Sequence, residues 1–350
     1  MTTSGTISQT VIDVMQLIEH GARRCGNFSE ELTVEQIQSA RESLYFALSS
    51  LGNRGISYWA IQKSIVGTRA NKGLYTLPVG SIDVLNALYR RVTRNTGVYS
   101  ASTGTAANAF DGDVDTSCTQ SAINGNIAVT FSDEVYASKF GILPGVSGSF
   151  TIVIEYSTDG TTWSTLYAPG ITTWVDNTWL WYDIDPGHAV MYYRMRETAG
   201  GTLIVREFVV GSNPIEIPMA RLNRDDYTNL PNKNFTSNQP LQYWFDRTIP
   251  QPTMNVWPVP SEDFTQIVVY CSRYIMDVGD LNGSLEIPQR WYEAILFILA
   301  HRMSLELPDV PMEKIVYLDG QADKYLAQAE DEERDNSPIF FSPNISGYSR

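Results

Sequence analysis

The sequence contains few cysteines and no long apolar segment. Its three cysteines, Cys25, Cys118 and Cys271, are far apart and form no C-x-x-C motif. This sparse use excludes a disulfide-rich secreted scaffold and favours a reducing compartment. The longest wholly apolar run, AILFILA at 294–300, is far shorter than the roughly 20 residues that a membrane-spanning helix needs. We therefore expect no membrane partner.

Basic residues are also scarce. The chain has 25 Lys and Arg against 39 Asp and Glu, a net charge of −14. That balance excludes a basic surface that grips nucleic acid, but not a wall past which DNA slides. Residues 1–95 carry +3, 96–213 carry −8 and 214–350 carry −9, which predicts parts that face different partners. The basic side chains considered in the first segment are Arg23, Arg24, Arg69, Lys72, Arg90, Arg91 and Arg94. We expect some of them to pair with acidic neighbours and most to be solvated. The alternative is that they line a DNA-facing loop.

Catalytic motifs are missing as well. The histidines His20, His188 and His301 lie in three different segments, and no metalloprotease, serine-hydrolase, phosphate-loop or dinucleotide motif is present. The sequence alone places no two carboxylates across a cleft. We expect a protein that is not an enzyme, and a cell-wall hydrolase is a less favoured alternative.

Residue composition and hydrophobic periodicity change twice along the chain, which predicts an α+β protein of several parts. Apolar residues at helical spacing mark residues 7–18, and a capping box at 33–36 precedes a second helix; 82–91 fits a strand or a helix. Residues 96–213 alternate in short runs with polar turns, which indicates a β-sandwich with strands near 126–131, 150–156, 179–184, 190–196 and 203–210. The third segment continues with strands, then two helices.

We therefore predict a helical bundle with a small antiparallel β-domain, plus an inserted jelly-roll sandwich. The predicted parts are 1–95, mainly helical; 96–213, the inserted sandwich; 214–336, strands followed by two helices; and 337–350, an extended C-terminal arm.

Two segments of the last part look suited to contacts with other chains. The helix predicted at 291–305 is apolar almost all round, which favours burial between neighbouring subunits as well as within one, through Trp291, Ile295, Ile298 and Leu299. The arm has apolar residues, two prolines and no periodicity, so it is expected to dock on a partner through Ile339, Phe340, Phe341, Ile345 and Tyr348.

The sequence DGDVDT at 111–116 is the most ligand-like motif. Closely spaced carboxylates, a glycine turn and a hydroxyl are the groups that bind hard cations such as Ca²⁺. An Asx-rich turn between strands explains the same residues, and from the residues alone we favour that turn.

Five segments of the middle region are ANAFDGDVDT at 107–116, IAVTF at 127–131, IVIEYSTDGTTW at 152–163, YRMR at 193–196 and REFVVG at 206–211. In this order they resemble a discoidin-like domain, the coagulation-factor type C, galactose-binding-like β-sandwich. The resemblance implies a structural Ca²⁺ at Asp111, Asp113, Thr116 and Glu207. It also implies sugar binding by loop aromatics, for which Trp174, Trp179 and Trp181 are candidates; core packing or a protein contact is an equal alternative for each. The tryptophan usual after the threonine is replaced by Ser117 and Cys118.

The flanking segments carry a second set of motifs. They are YTLP at 75–78 with IDV at 82–84, LNRDDY at 222–227, QPLQYW at 239–244, NVWPVP at 255–260, IPQRW at 287–291 with LA at 299–300, and ERDNSP at 333–338. These resemble the head-completion, or head-to-tail, adaptor of short-tailed bacteriophages. The inserted sandwich departs from that family's minimal pattern.

This second resemblance implies a structural virion protein, assembled in the host cytoplasm and located in the virion neck. Twelve copies would form a ring that binds the portal through the arm, extends the double-stranded DNA channel, retains packaged DNA until ejection and seats the tail nozzle or tail fibres. The alternative is a carbohydrate-binding virion module that attaches to host or fibre glycans through the inserted sandwich.

Overall fold

The computed structural model describes residues 12–26, 32–52 and 58–332. The chain forms two compact units: a helical unit, Met1–Ile61 with Arg273–Arg350, and a β unit, Gln62–Ser272. Strands make up most of the described structure, together with a few helices. The division falls at 61/62 and 272/273, whereas the predicted borders at 95/96 and 213/214 lie within the β unit. The predicted arm at 337–350 lies outside the described residues.

The helices begin and end at recognisable signals. Asp13 accepts a hydrogen bond from the Gln16 amide at the start of the first helix, and Gly26 ends that helix in the left-handed conformation, with φ of 104°. The predicted capping box of the second helix is confirmed, because Thr33 and Gln36 bond to each other's backbone amides. The helices are α1 (Val14–Cys25), α2 (Val34–Leu51), α3 (Arg224–Thr228), α4 (Tyr292–Ser304) and α5 (Met312–Glu332).

Helix α4 is the centre of the helical unit's own core. It packs against α1, α2 and α5, and Trp291, Ile295 and Leu299 are 4%, 0% and 0% exposed. Ile298 is partly buried against the same core. The part of the prediction that expected burial within one subunit is confirmed, since three helices of its own chain pack against the apolar helix. The contact with a neighbouring subunit stays a prediction.

The predicted helical bundle is not confirmed as the description of the fold, since β-structure predominates. Within the described ranges, each helix is too short or too polar to span a bilayer.

The β unit contains a sandwich and a smaller set of strands. The five predicted sandwich strands are confirmed, and 82–91, which fitted a strand or a helix, is part of a strand. The strands are β1 (Ile61–Gly67), β2 (Leu74–Thr76), β3 (Ser81–Arg94), β4 (Val98–Ala101), β5 (Cys118–Gln120), β6 (Asn126–Val135), β7 (Lys139–Pro144), β8 (Gly148–Ser157), β9 (Ser164–Trp174), β10 (Leu180–Asp183), β11 (Val190–Glu197), β12 (Leu203–Pro218), β13 (Ala220–Leu222), β14 (Thr236–Ser237), β15 (Gln242–Asp246), β16 (Thr253–Trp257), β17 (Val259–Pro260) and β18 (Thr265–Arg273).

Two sheets face each other across the sandwich core. A five-stranded sheet has the order β4-β6-β11-β8-β9, and a seven-stranded sheet has the order β1-β18-β3-β12-β7-β10, with β5 also pairing with β12. Residues that alternate along the strands, such as Ile127, Phe140, Ile152 and Tyr193, are fully buried between the sheets. A four-stranded sheet, β13-β15-β16-β2, and the pair β14-β17 complete the unit.

Strand β12 belongs to both parts of the β unit. Its first half pairs with β7 of the sandwich, from Val205 to Gly211, and its second half pairs with β3, from Gly211 to Pro218. Strands of the predicted segment 96–213 therefore share one hydrogen-bonded sheet with β1, β3 and β18, and the predicted borders lie within one compact unit.

Candidate functional site

The three tryptophans predicted to contact sugar are buried. Trp174, Trp179 and Trp181 are 1%, 5% and 9% exposed. Trp174 packs on Phe150, with ring centroids 4.7 Å apart. Trp179 stacks on Trp181 at 5.2 Å and meets Phe264 edge-on at 5.6 Å, across the junction between the sandwich and the neighbouring strands. Their burial agrees with the alternative of core packing and leaves none of the three side chains exposed to a sugar.

Ion pairs also cross this junction. The Arg90 guanidinium is 2% exposed and bonds Asp183 of the sandwich at 2.8 Å and Glu216 at 2.6 Å. Burial opposes the ionisation of Asp183, but Lys63 and Arg90 hold its pKa below the usual value. The expectation that basic side chains of the first segment meet acidic neighbours is confirmed for Arg69, Arg90, Arg91 and Arg94.

The predicted acidic loop forms a closed turn. The Asp111 carboxylate accepts hydrogen bonds from the Asp113 amide at 2.9 Å and from the Thr116 hydroxyl at 2.8 Å. Asp113 in turn accepts one from the Asp115 amide at 3.0 Å. This is the Asx-rich turn that the residues alone favoured.

Glu207, the fourth predicted metal ligand, lies against this loop. Its side chain is 0% exposed, and neither carboxylate oxygen has a hydrogen-bond partner among the described residues. Burial raises the pKa of Glu207 to about 7, because desolvation outweighs the attraction of Arg94, and the Asp111 carboxylate raises it further. Of the four predicted residues, the structure brings Asp111 close to Glu207 and bonds Thr116 to Asp111, whereas the Asp113 carboxylate accepts the Asp115 amide.

A guanidinium group occupies this place. Arg94 Nη2 lies 3.6 Å from Glu207 Oε2 and donates a hydrogen bond to the Phe110 carbonyl at 3.2 Å. In the described part of the chain, no group of three or more His, Cys, Asp or Glu side chains is arranged to hold a metal ion. The residues therefore do not fit a calcium ion, because a second cation beside Arg94 would be repelled.

A polar cavity of about 500 Å³ lies elsewhere in the β unit. Tyr227 of α3 stacks on Trp244 at 5.0 Å, and its hydroxyl donates a hydrogen bond to Oδ1 of the Asn255 side chain at 3.3 Å. Lys233 is anchored to the Thr228 carbonyl at 2.9 Å. The cavity is lined by Asn71, Gly73, Leu74, Tyr227, Lys233, Asn234, Thr236, Asn255 and Val259, so that no carboxylate lines it.

Sequence reasoning missed both the role of Arg94 and this cavity. Arg94 was recognised only as one of several basic residues, and its partner Glu207 is far away along the chain. The asparagines of the cavity come from three separate stretches, at 71, 234 and 255. The motifs at 222–227 and 255–260 supply three of the lining residues, Tyr227, Asn255 and Val259, but their sequences do not indicate a common pocket.

Several solved structures similar to this chain are carbohydrate-binding modules, and each covers about a third of it. The family 32 module of AlyQ, in complex with 4,5-unsaturated mannuronic acid, is 14% identical and matches 34% of this chain and 97% of that one, with a TM-score of 0.30. The family 62 module of Clostridium thermocellum Xyl5A is 18% identical, with 35% and 98% covered and a TM-score of 0.30. The family 32 module of Clostridium perfringens NanJ, in complex with galactose, is 17% identical, with 33% and 93% covered and a TM-score of 0.28.

At these TM-scores the likenesses carry no argument about what this chain binds, so its function is argued from its own residues. No protein-family model matches the sequence, and no curated protein matches it.

Proposed function

We propose that this chain is a non-enzymatic binding protein and that its ligand is a neutral carbohydrate. The observation that carries the proposal is the cavity of about 500 Å³ lined by Asn71, Asn234, Asn255 and Thr236, with Tyr227 at its wall. Its size is in the range of small-molecule sites. The buried tryptophans of the sandwich play no part in it.

The chemistry of the cavity suits sugar hydroxyl groups. Each asparagine amide both donates and accepts hydrogen bonds, as each sugar hydroxyl does. Lys233 is the only charged lining residue, and its ammonium group already bonds the Thr228 carbonyl. The cavity therefore offers neutral, directional hydrogen bonds and little net charge, which favours an uncharged saccharide over an acidic one.

A glycan array probed with the full chain tests this proposal. Asn234→Ala removes one lining amide, and we expect about tenfold weaker binding, which corresponds to one lost hydrogen bond. Asn282→Ala, at an exposed asparagine of the helical unit, is the matched control and should bind as the unaltered chain does. Absence of saccharide binding by the full chain, or equal binding by Asn234→Ala, contradicts the proposal.

A structural role is the second candidate: a ring-forming head-to-tail adaptor in the neck of a short-tailed phage virion. The shared strand β12 supports it, because the sandwich is a fixed part of the β unit and not a module on a flexible tether. The net charge of −14 is compatible with a DNA channel that does not hold its cargo. The candidate includes a ring of twelve copies and contacts with portal and tail nozzle or fibre proteins.

Native mass spectrometry of the purified full chain, alone and mixed with a short-tailed phage portal protein, tests the adaptor role. A ring, or a complex of defined stoichiometry with the portal, is the expected result. A chain that remains monomeric at all concentrations and does not join the portal contradicts it. Removal of residues 337–350 should abolish the complex without unfolding the chain, and a complex that survives this truncation contradicts the role of the arm.

A further inference from the structure

The Arg94 side chain is held on four sides. It belongs to β3, which precedes the segment 96–213, and its guanidinium lies 4.1 Å from the centre of the Phe264 ring. It donates to the Phe110 carbonyl and faces Glu207 at 3.6 Å. A Cβ atom at Gly112 would lie 3.0 Å from Nη1, and Gly112 has a φ of 84°, so only glycine permits this approach without strain.

The ionised form of Glu207 depends on a cation beside it. Full burial of the side chain favours the neutral acid, and an opposite charge nearby offsets part of the cost of ionisation. Among the described residues, Arg94 is the basic group that forms an ion pair with Glu207. The Asp111 side chain of the adjoining turn adds to the negative charge at this place.

We infer that the Arg94 guanidinium is the built-in structural cation of the acidic loop and takes the place of a divalent metal ion. It satisfies the same kinds of group that a hard cation would bind, a buried carboxylate and a main-chain carbonyl. Since the cation is covalently part of the chain, the loop is independent of free calcium. Since Arg94 belongs to β3, the positive charge that balances Glu207 comes from a strand outside the segment 96–213.

Thermal unfolding of the full chain with calcium or with a chelator tests this inference. The unaltered chain should have the same midpoint in both conditions. Arg94→Met keeps the apolar contact with Phe264 but removes the charge. It should melt at a lower temperature in chelator and recover part of the loss in calcium, because the freed Glu207 and Phe110 oxygens become available to the ion.

Two further variants make the result specific. Arg91→Met removes a half-exposed arginine of the same strand, paired with Glu262 at 3.0 Å, and should melt nearly as the unaltered chain does, without a calcium response. Arg94→Lys keeps the charge, so it should melt between the unaltered chain and Arg94→Met and ignore calcium. If Arg94→Met does not fold, Arg94→Lys is the variant whose melting midpoint is measured in its place.

Three results would overturn the inference. They are a calcium-dependent midpoint in the unaltered chain, an Arg94→Met chain as stable as Arg91→Met, and a loss in Arg94→Met that calcium does not recover. Isothermal titration of the unaltered chain with calcium chloride is an independent measurement, in which no binding is expected and specific binding contradicts the inference.

Discussion

Single residues at the sandwich junction show how little free space it has. A Cβ atom at Gly67 would lie 2.2 Å from the Cβ of Trp179, far inside contact distance. Both atoms are close to the main chain, so neither can move away without shifting a strand. The glycine of β1 is thus a steric requirement of the buried tryptophan.

Gly67→Ala should therefore lower the free energy of unfolding by about 1–3 kcal/mol, the usual range for overpacking. Urea unfolding followed by tryptophan fluorescence measures the change. Gly320→Ala is the matched control, because nothing lies within 4 Å of its Cβ and it is in a helix; it should stabilise by about 0.5–1 kcal/mol. A Gly67→Ala chain of unaltered stability would contradict the described packing.

The pair of arginines around Glu155 gives a pH prediction at the same scale. Glu155 is 4% exposed and bonds Arg194 at 2.6 Å and Arg196 at 2.7 Å. Burial alone would raise the pKa of Glu155, but hydrogen bonds from both arginines hold it below the usual 4.5.

Because the folded-state pKa is lowered, the pair stabilises the protein above about pH 4.5, and the stabilisation is lost as pH falls through the lower folded value. Glu155→Gln should lower the melting temperature at pH 7 and give a shallower decline between pH 5 and pH 3 on the same physical ground. Melting curves across that range measure both effects, with the exposed Glu134→Gln as control. Parallel declines of the melting temperature in the unaltered and Glu155→Gln chains would show that Glu155 does not titrate in the expected pH window.

At the scale of elements, the sequence predicted where strands and helices lie better than what they touch. Alternating residues indicate a strand because the two faces of a sheet differ in exposure, and the box at Thr33 and Gln36 is a local signal. The neighbours of α4 could not be predicted from such signals. An all-apolar helix shows that every side is covered, but its sequence is the same whether the cover belongs to its own chain or to another.

Ile295→Ala tests the position of α4 in its own core. Because Ile295 is fully buried, the substitution should cost about 2–5 kcal/mol in urea unfolding. Val316→Ala, on the exposed side of α5, should change stability by less than about 0.5 kcal/mol. An Ile295→Ala chain of full stability that loses its self-association would instead support the inter-subunit role.

At the scale of the whole molecule, the segment 96–213 shares a sheet with strands that precede and follow it in sequence. A change of composition at residue 96 suggested a border, but β12 runs past residue 213 and pairs with β3, which ends before residue 96. Arg94 and Phe264 likewise contact each other from the two sides of the segment 96–213. Pairing between distant strands leaves no local mark in composition, so the border could not be corrected from the sequence.

The fragment 62–272 should therefore fold cooperatively, whereas the fragment 96–213 should melt at a clearly lower temperature. The shorter fragment lacks β3, the ring of Phe264 and the charge of Arg94. Circular dichroism melts of the two fragments at equal concentration measure the difference. Equal midpoints would show that the sandwich is independent of its neighbours.

The double pairing of β12 also has a mechanical consequence. Its sixteen residues form one continuous strand, which is hydrogen-bonded to β7 of the sandwich along one half and to β3 along the other. A pull along β12 loads these hydrogen bonds in shear, all at once, and not one after another as in unzipping. Tension applied to the sandwich is therefore transmitted along β12 to the rest of the β unit before any single loop is stretched.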